Sequence, residues 1–474
     1  MGLKSKDNHV IYQSWAAFCA NIPNIILGVS VAWNGAYLPK FKTDECPLNQ
    51  GKLTDSQIGS IAGIGAIGCV FGNLLSGWLS ERFGRKTTLV LVGIPQLISW
   101  IILLTNDYFI TIIGRAVLGI VAGFSFVVTP VFVAEISDDE HRGIFGSFLS
   151  LSCNLGILLG FLLINFLDYD SVNRVMVGFS ILYFLGILSV HESPVWYMLK
   201  DRKEDAVKAN FYYKGNTDNV TLQTKELNKA DVTNNEIQKF KFKDFCEYKI
   251  KFSFKFNSLQ LEICLSDSKN TRKGVILSLI LITFPMVSGT MVLVNYSVKI
   301  FDEASSNLTS IVSSMIVALI QLIGSYFATL LVEKLGRKTL LIISSFGSFL
   351  SLTVMGSYYY LQAIHVDVTQ FNILPLISFS VLVLFSAVGL AGIPFVVIAE
   401  LVPQRMRGPM FTMCLVFFSC VVAGVMTSFM PMVELLGMHG YIWLYAVLSI
   451  ITCTFTMIFI PETRKKPEEI ETKT

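Results

Sequence analysis

The residues with chemistry to offer are a few charges standing beside long apolar blocks, and they come in matched words. Glu81-Arg82-Phe83-Gly84-Arg85-Lys86 returns 252 residues later as Glu333-Lys334-Leu335-Gly336-Arg337-Lys338. Glu135, followed seven residues on by Arg142-Gly143, returns 265 residues later as Glu400, followed at the same spacing by Arg407-Gly408. A lone charge where an apolar helix meets water is half desolvated and costly, so acids and guanidinium groups gathered there are expected to pair. The spacing predicts one ion network of Arg85, Glu135 and Arg142 and a second of Arg337, Glu400 and Arg407. Gly84 and Gly336 allow the tight turns between helices. Such networks close or release a helix interface. No nucleophile stands beside a base, so an enzyme is not expected. The nine cysteines include no C-x-x-C pair and the five histidines stand apart, which argues against a metal site or a disulfide frame. No cofactor is expected.

The elements that must position these words are membrane spans. Only 15% of the 474 residues are charged and 53% are hydrophobic, with a mean hydropathy of +0.60. An average soluble domain carries about 25% charged residues. A net charge of +3 is too small for an electrostatic footprint on nucleic acid. A spanning helix needs about 20 largely apolar residues. Twelve stretches qualify, near 14–34, 56–80, 88–105, 108–134, 144–167, 173–191, 273–300, 306–332, 339–361, 371–402, 409–433 and 438–460. No removable leader is expected, because the first block is long enough to span and lacks a small-residue cleavage site. The expected fold class is all-α polytopic, with 1–191 and 273–460 as two parallel six-helix halves. Residues 192–272 are too polar to cross and form a loop with short helices, and 461–474 form a tail. Assigning both termini and the even-numbered loops to one side gives it 31 of the 37 Lys and Arg, so both termini are expected in the cytoplasm. Parallel halves imply a carrier that rocks one half against the other around a midplane site.

With these words the chain resembles, over nearly its whole length, the sugar porter family of the major facilitator superfamily. Gly77 to Lys86 is similar to the family's loop between spans 2 and 3, with Glu81 where Asp is commoner. Arg115-x3-Gly119-x3-Gly123, then Pro130-x-Phe132-x2-Glu135-x6-Arg142-Gly143, resembles the span 4 signature. Glu192-Ser193-Pro194 with Trp196 is similar to the word after span 6, and Pro461-Glu462-Thr463-Arg464 to the word after span 12. Asn154-x-Gly156 and Pro403 to Gly408 look most like the insect trehalose and glucose facilitators. The resemblance implies a major facilitator fold in the plasma membrane, surrounded by lipid, with a small sugar as its partner and no obligate protein partner. It places Glu81, Arg82, Arg85, Glu135, Arg142, Glu192, Glu333, Arg337, Glu400 and Arg407 at the inner gate, and Arg115 in a structural or coupling role.

Carried over position by position, the family's sugar contacts are altered. Aligned on Ser288-Gly289, span 7 offers Pro285, Met286 and Val287, with Met291 in place of an Asn. The span 5 Gln falls on Ser150, the span 10 Trp on Phe395, and the span 11 Asn-Trp on Phe418-Ser419. Gln321, Tyr296, Ser288 and Asn154 remain as candidate contacts. Each sugar hydroxyl buried without a partner costs about 1–3 kcal/mol, and an amide offers donor and acceptor together. The pocket therefore holds sugar through fewer partners, or takes a less polar solute. Ser150 and Ser288 have a plainer reading as hydroxyls bonded to their own helices. Pro285 is expected to break span 7. Family members driven by protons resemble one another in an acid in the first half of span 1. Here Gly28 to Asn34 contains none, so facilitated uniport is expected over proton coupling. A non-transporting sensor is the reading from another class. Asn307-Leu308-Thr309 is a candidate glycosylation sequon.

Overall fold

The computed structural model describes residues 3–138, 141–215, 269–304, 308–401, 407–460 and 462. Among them all regular structure is helical. Spans 1 to 6 are Leu3–Lys40, Asp55–Phe83, Arg85–Ile102, Tyr108–Ile136, Arg142–Phe166 and Tyr169–Leu188. Their starts are written locally. Thr54 and Gln57 exchange side-chain and backbone hydrogen bonds in a capping box, and the Asp107 carboxylate accepts from the Ile110 N–H at 3.1 Å.

Span 1 is longer than hydropathy predicts, running on at both polar ends. Its first turns are held because Gln13 donates to Asp138 and to the Tyr213 carbonyl and accepts from the Asp138 N–H. Tyr213 belongs to a pair of short helices, Pro194–Leu199 and Lys203–Lys214, at the end of the first half that carries the terminus.

Span 7 is not one helix over 273–300. It runs Lys269–Leu281, then Phe284–Val287, Thr290–Asn295 and Ser297–Glu303. Pro285 lacks an N–H and collides with the carbonyl of the preceding turn. Gly289 sits at a φ of 72°, open to glycine without a Cβ penalty. The Ser288 hydroxyl stitches the break, donating to the Pro285 carbonyl at 2.9 Å and lying 3.2 Å from the Thr290 hydroxyl. Span 10 is likewise interrupted, as Leu374–Phe385, a π turn at Ser386–Leu390 and Ile393–Leu401.

Spans 8 and 9 are Ser310–Leu335 and Arg337–Ala363. The last helical run, Arg407–Phe459, is 53 residues long, about 80 Å at 1.5 Å per residue. A hydrocarbon core of about 30 Å demands two crossings. The non-helical Gly437 (φ 71°, ψ 164°) divides them into spans 11 and 12. Among the described residues the eleven long apolar helices thus make twelve crossings.

Within the first half, helices meet backbone to backbone. A Cβ on Gly119 would stand 1.9 Å from the Gly65 carbonyl oxygen (spans 4 and 2), and one on Gly156 2.0 Å from that of Ile25 (spans 5 and 1). Small residues at such crossings let membrane helices approach closely. The large apolar side chains left on the outside, Phe109, Phe166, Leu185 and Leu435 among them, are the face that lipid covers.

Candidate functional site

Arg85 at the start of span 3 and Glu135 at the end of span 4 form a two-pronged pair. Arg85 Nη2 lies 3.0 Å from Glu135 Oε1, and its Nε lies 3.1 Å from both carboxylate oxygens. Arg85 Nη1 also donates to the Ser80 carbonyl at 3.1 Å, and the Ser193 hydroxyl donates to Glu135 Oε2. Both charges are largely buried, so their mutual pairing is what makes the burial tolerable. Glu192 does a different job. Its carboxylate accepts from the backbone N–H of Lys86 at 2.9 Å and of Thr87 at 3.2 Å, capping the first turn of span 3. Gly84, at φ 107°, has no room for a side chain: a Cβ there would lie 2.2 Å from Glu192 Oε2. Glu81 is exposed and offers its carbonyl to the Trp196 indole at 3.0 Å. Arg82 lies over the Trp78 and Phe83 rings. Burial, with Lys86 close by, holds the pKa of the His191 imidazole below its ordinary value.

The second half repeats the cap and the glycine turn. Glu462 accepts from the backbone N–H of Arg337 at 3.1 Å and of Lys338 at 3.2 Å. Gly336 has a φ of 83°, and a Cβ on it would meet Glu462 Oε2 at 2.7 Å. Even the lysines match: Lys86 donates to the Leu188 carbonyl at 3.2 Å, and Lys338 to that of Met457 at 2.9 Å. The side chains of Arg142, Glu333, Glu400 and Arg407, and all of Asn307, lie outside the described residues. Glu462, Lys86 and Lys338 were not singled out from the sequence as gate residues. The signal was there, since Glu192-Ser193 and Glu462-Thr463 repeat 270 residues apart.

Between the halves, where spans 2 and 5 pack against spans 11 and 8, the hydrogen bonds come from small polar side chains. Asn154 (span 5) donates to the Ser325 hydroxyl (span 8) at 3.0 Å. Asn73 (span 2) donates to the Ser419 hydroxyl at 2.9 Å and the Leu415 carbonyl at 3.1 Å, both in span 11. Asn34 (span 1) donates to Asn295 (span 7) at 3.1 Å. Asn154 and Ser419 are thus brought to the interface, each with a partner from the opposite half. Asn34, Asn73, Asn295 and Ser325 were missed, for want of any pattern that marks which face of a span meets the other half.

The remaining candidates divide. Gln321 is half-buried in span 8, with its Oε1 shielded from solvent and unpartnered. Met291 is exposed, Phe418 is buried, and Phe395 lies edge-on to Phe418 at 6.2 Å. Ser150 is exposed and donates to the Ser147 carbonyl of its own helix at 3.2 Å. Tyr296 is fully buried, stacked on Phe429 at 3.9 Å and donating to the Met426 carbonyl at 3.2 Å. In this conformation it binds span 7 to span 11. Arg115, deep in span 4, donates to the Ser30 hydroxyl and to the Asn34 amide oxygen. Asn34 therefore links Arg115 to Asn295 across the interface. Among the described residues no His, Cys, Asp and Glu cluster could hold a metal ion.

The described helices meet along a seam bridged by side-chain hydrogen bonds. A family model described as "Sugar (and other) transporter" matches residues 16–473. The chain is 28% identical over 464 residues to a facilitated trehalose transporter of Bombyx mori, covering 97% of this chain and 86% of that one. It is 27% identical over 466 residues to the corresponding Culex quinquefasciatus protein, covering 97% and 85%. Among solved structures it resembles the major facilitator proton:xylose symporter XylE bound to 6-bromo-6-deoxy-D-glucose, with a TM-score of 0.75 at 20% identity over 98% of this chain and 99% of that one. It is equally like the inward-open xylose transporter XylE of E. coli, with a TM-score of 0.75 at 21% identity over 98% and 100%.

Proposed function

Since the chain belongs to the sugar (and other) transporter family, we propose that it carries a small sugar, trehalose or glucose, across the plasma membrane by facilitated diffusion. It is a multi-pass membrane transporter of the major facilitator fold and not an enzyme. The positive-inside asymmetry supports cytoplasmic termini, so the Asn34–Asn295 contact lies toward the outside and the Arg85–Glu135 pair toward the cytosol.

One observation carries the mechanism: the contrast between the two kinds of helix contact. Inside the first half, carbonyl oxygens approach glycines to a distance no Cβ could tolerate, so that body moves as a unit. Across the seam the hydrogen bonds come from side chains, each worth about 0.6 kcal/mol within a membrane. A bound sugar that prefers one arrangement by a few such bonds is enough to exchange them, which is alternating access. Arg115 faces Ser30, a hydroxyl that does not titrate, where a coupling acid would otherwise pair with it, and this supports uniport.

The test is uptake of labelled trehalose and glucose into transporter-deficient cells expressing the chain, at two external pH values. Saturable uptake indifferent to pH is expected. Uptake that rises steeply with acidity overturns the uniport reading. A second reading, a less polar organic solute, is favoured by Met286, Met291, Phe395 and Phe418 at the contact positions. Surface expression without uptake of either sugar moves the assignment there, or to a sensor.

A further inference from the structure

Spans 1, 4 and 6 meet in a buried polar and aromatic cluster. At its centre Arg115 is only 5% exposed. Its guanidinium ends on neutral groups, the Ser30 hydroxyl and the Asn34 amide oxygen. Among the described residues no carboxylate pairs with it, and its Nε has no partner. The Trp33 ring covers it at 5.0 Å. Tyr169 packs on Trp33 at 5.8 Å and on Tyr37 at 4.9 Å, and its hydroxyl lies beside Thr111 and Asn173 within the field of Arg115. The Trp33 Nε1 and the Tyr37 hydroxyl are buried without a hydrogen-bond partner in the protein, whereas the Tyr169 hydroxyl bonds to Thr111 and Asn173. Asp168 and Asp170 act on Tyr37 from the end of span 6, and Asp170 is tied to Asn106 at 3.0 Å.

Buried polar groups almost always have partners, and an orphan asks for a ligand or water. Here Trp33, Tyr37 and the Arg115 Nε each offer an unused N–H or O–H around one packed cluster, beside a buried cation without a counter-charge, a costly state in a membrane. A cation would be repelled. Water would satisfy these donors and leave the charge uncompensated. A dianion would exceed one guanidinium. Arg115 lies seven residues into span 4, about 10 Å from its start, within reach of the medium on the face away from the termini. We propose that this cluster binds a compact monovalent anion, a halide, as the counter-ion of Arg115. Because Asn34 also reaches Asn295, the bound ion would steady the seam between the halves.

The test uses the purified full-length chain in detergent, with chloride exchanged stepwise for gluconate at constant ionic strength and unfolding followed by tryptophan fluorescence. A saturable rise of the midpoint by about 3–5 °C is expected in chloride, matched by bromide and absent with gluconate. Ser30→Asp places a carboxylate on Arg115, so it should raise the midpoint in gluconate and abolish the chloride increment. Arg115→Gln should lower the midpoint and abolish the increment as well; if that variant fails to fold, Ser30→Asp alone decides. Equal wild-type midpoints in chloride and gluconate, or an increment that survives in Ser30→Asp, overturns the site. The readout is unfolding, so its outcome is independent of which solute is carried.

Discussion

Arg85 and Glu135 show what a single pair contributes at a helix junction. With both charges largely out of water, neither is stable without the other. Glu135→Gln leaves Arg85 buried with an amide for a partner and should destabilise the protein by about 3–5 kcal/mol. Replacing both, as Arg85→Met with Glu135→Gln, should cost less than the sum of the two single changes. Thermal unfolding of the three variants in detergent checks this, and additive losses would show that the two side chains do not act as a unit. The pairing could be read from sequence because the words repeat and because an acid there serves no topology signal. The seam residues could not. Asn34, Asn73 and Asn295 are isolated amides in apolar helices, and a single sequence does not say which face of a span looks at the other half. Tyr296 shows the converse limit, since its residue type suits a ligand contact but its ring and hydroxyl are taken by Phe429 and Met426.

Helices and turns were the most legible level, because a bilayer imposes a length that hydropathy reports directly. The division between spans 11 and 12 falls at Gly437, where the sequence placed it. Where the reading stopped short, the cause is local backbone chemistry. Span 7 scores as one apolar block, yet Pro285 and Gly289 break it into pieces that hydropathy cannot resolve. The turn at Gly84 gives the sharpest test at this scale. Gly84→Ala must adopt a φ of 107° with its methyl against the Glu192 carboxylate, a strain of about 1–3 kcal/mol before the cap on span 3 is disturbed. Gly77→Ala, seven residues earlier in mid-helix with nothing within 4 Å of its Cβ, should instead stabilise by about 0.5–1 kcal/mol. Unfolding midpoints that move in opposite directions are expected, and a shift of the same sign for both would contradict the turn geometry.

At the scale of the whole molecule the question is how firmly the halves are held together on the outer side. Asn34 and Asn295 make the hydrogen bond there, with Arg115 behind Asn34 and Val294 close to Gly35. If that bond is worth about 0.6 kcal/mol, the average for membrane helices, its loss shifts the balance toward outer opening about threefold; at the upper figure of about 1.7 kcal/mol the shift is nearly twentyfold. Asn295→Ala removes the bond without adding bulk, and its side chain otherwise donates only to the Met291 carbonyl one turn back. The measurement is the rate at which an impermeant thiol reagent applied from outside labels a Met291→Cys reporter, with and without Asn295→Ala, after subtracting labelling of the native cysteines. A rise of at least about threefold is expected. Saturating sugar should narrow the difference if it favours the closed outer seam. An unchanged rate would mean that the asparagines meet without restraining the halves, and the seam would then rest on the mid-span contacts of Asn73 and Asn154.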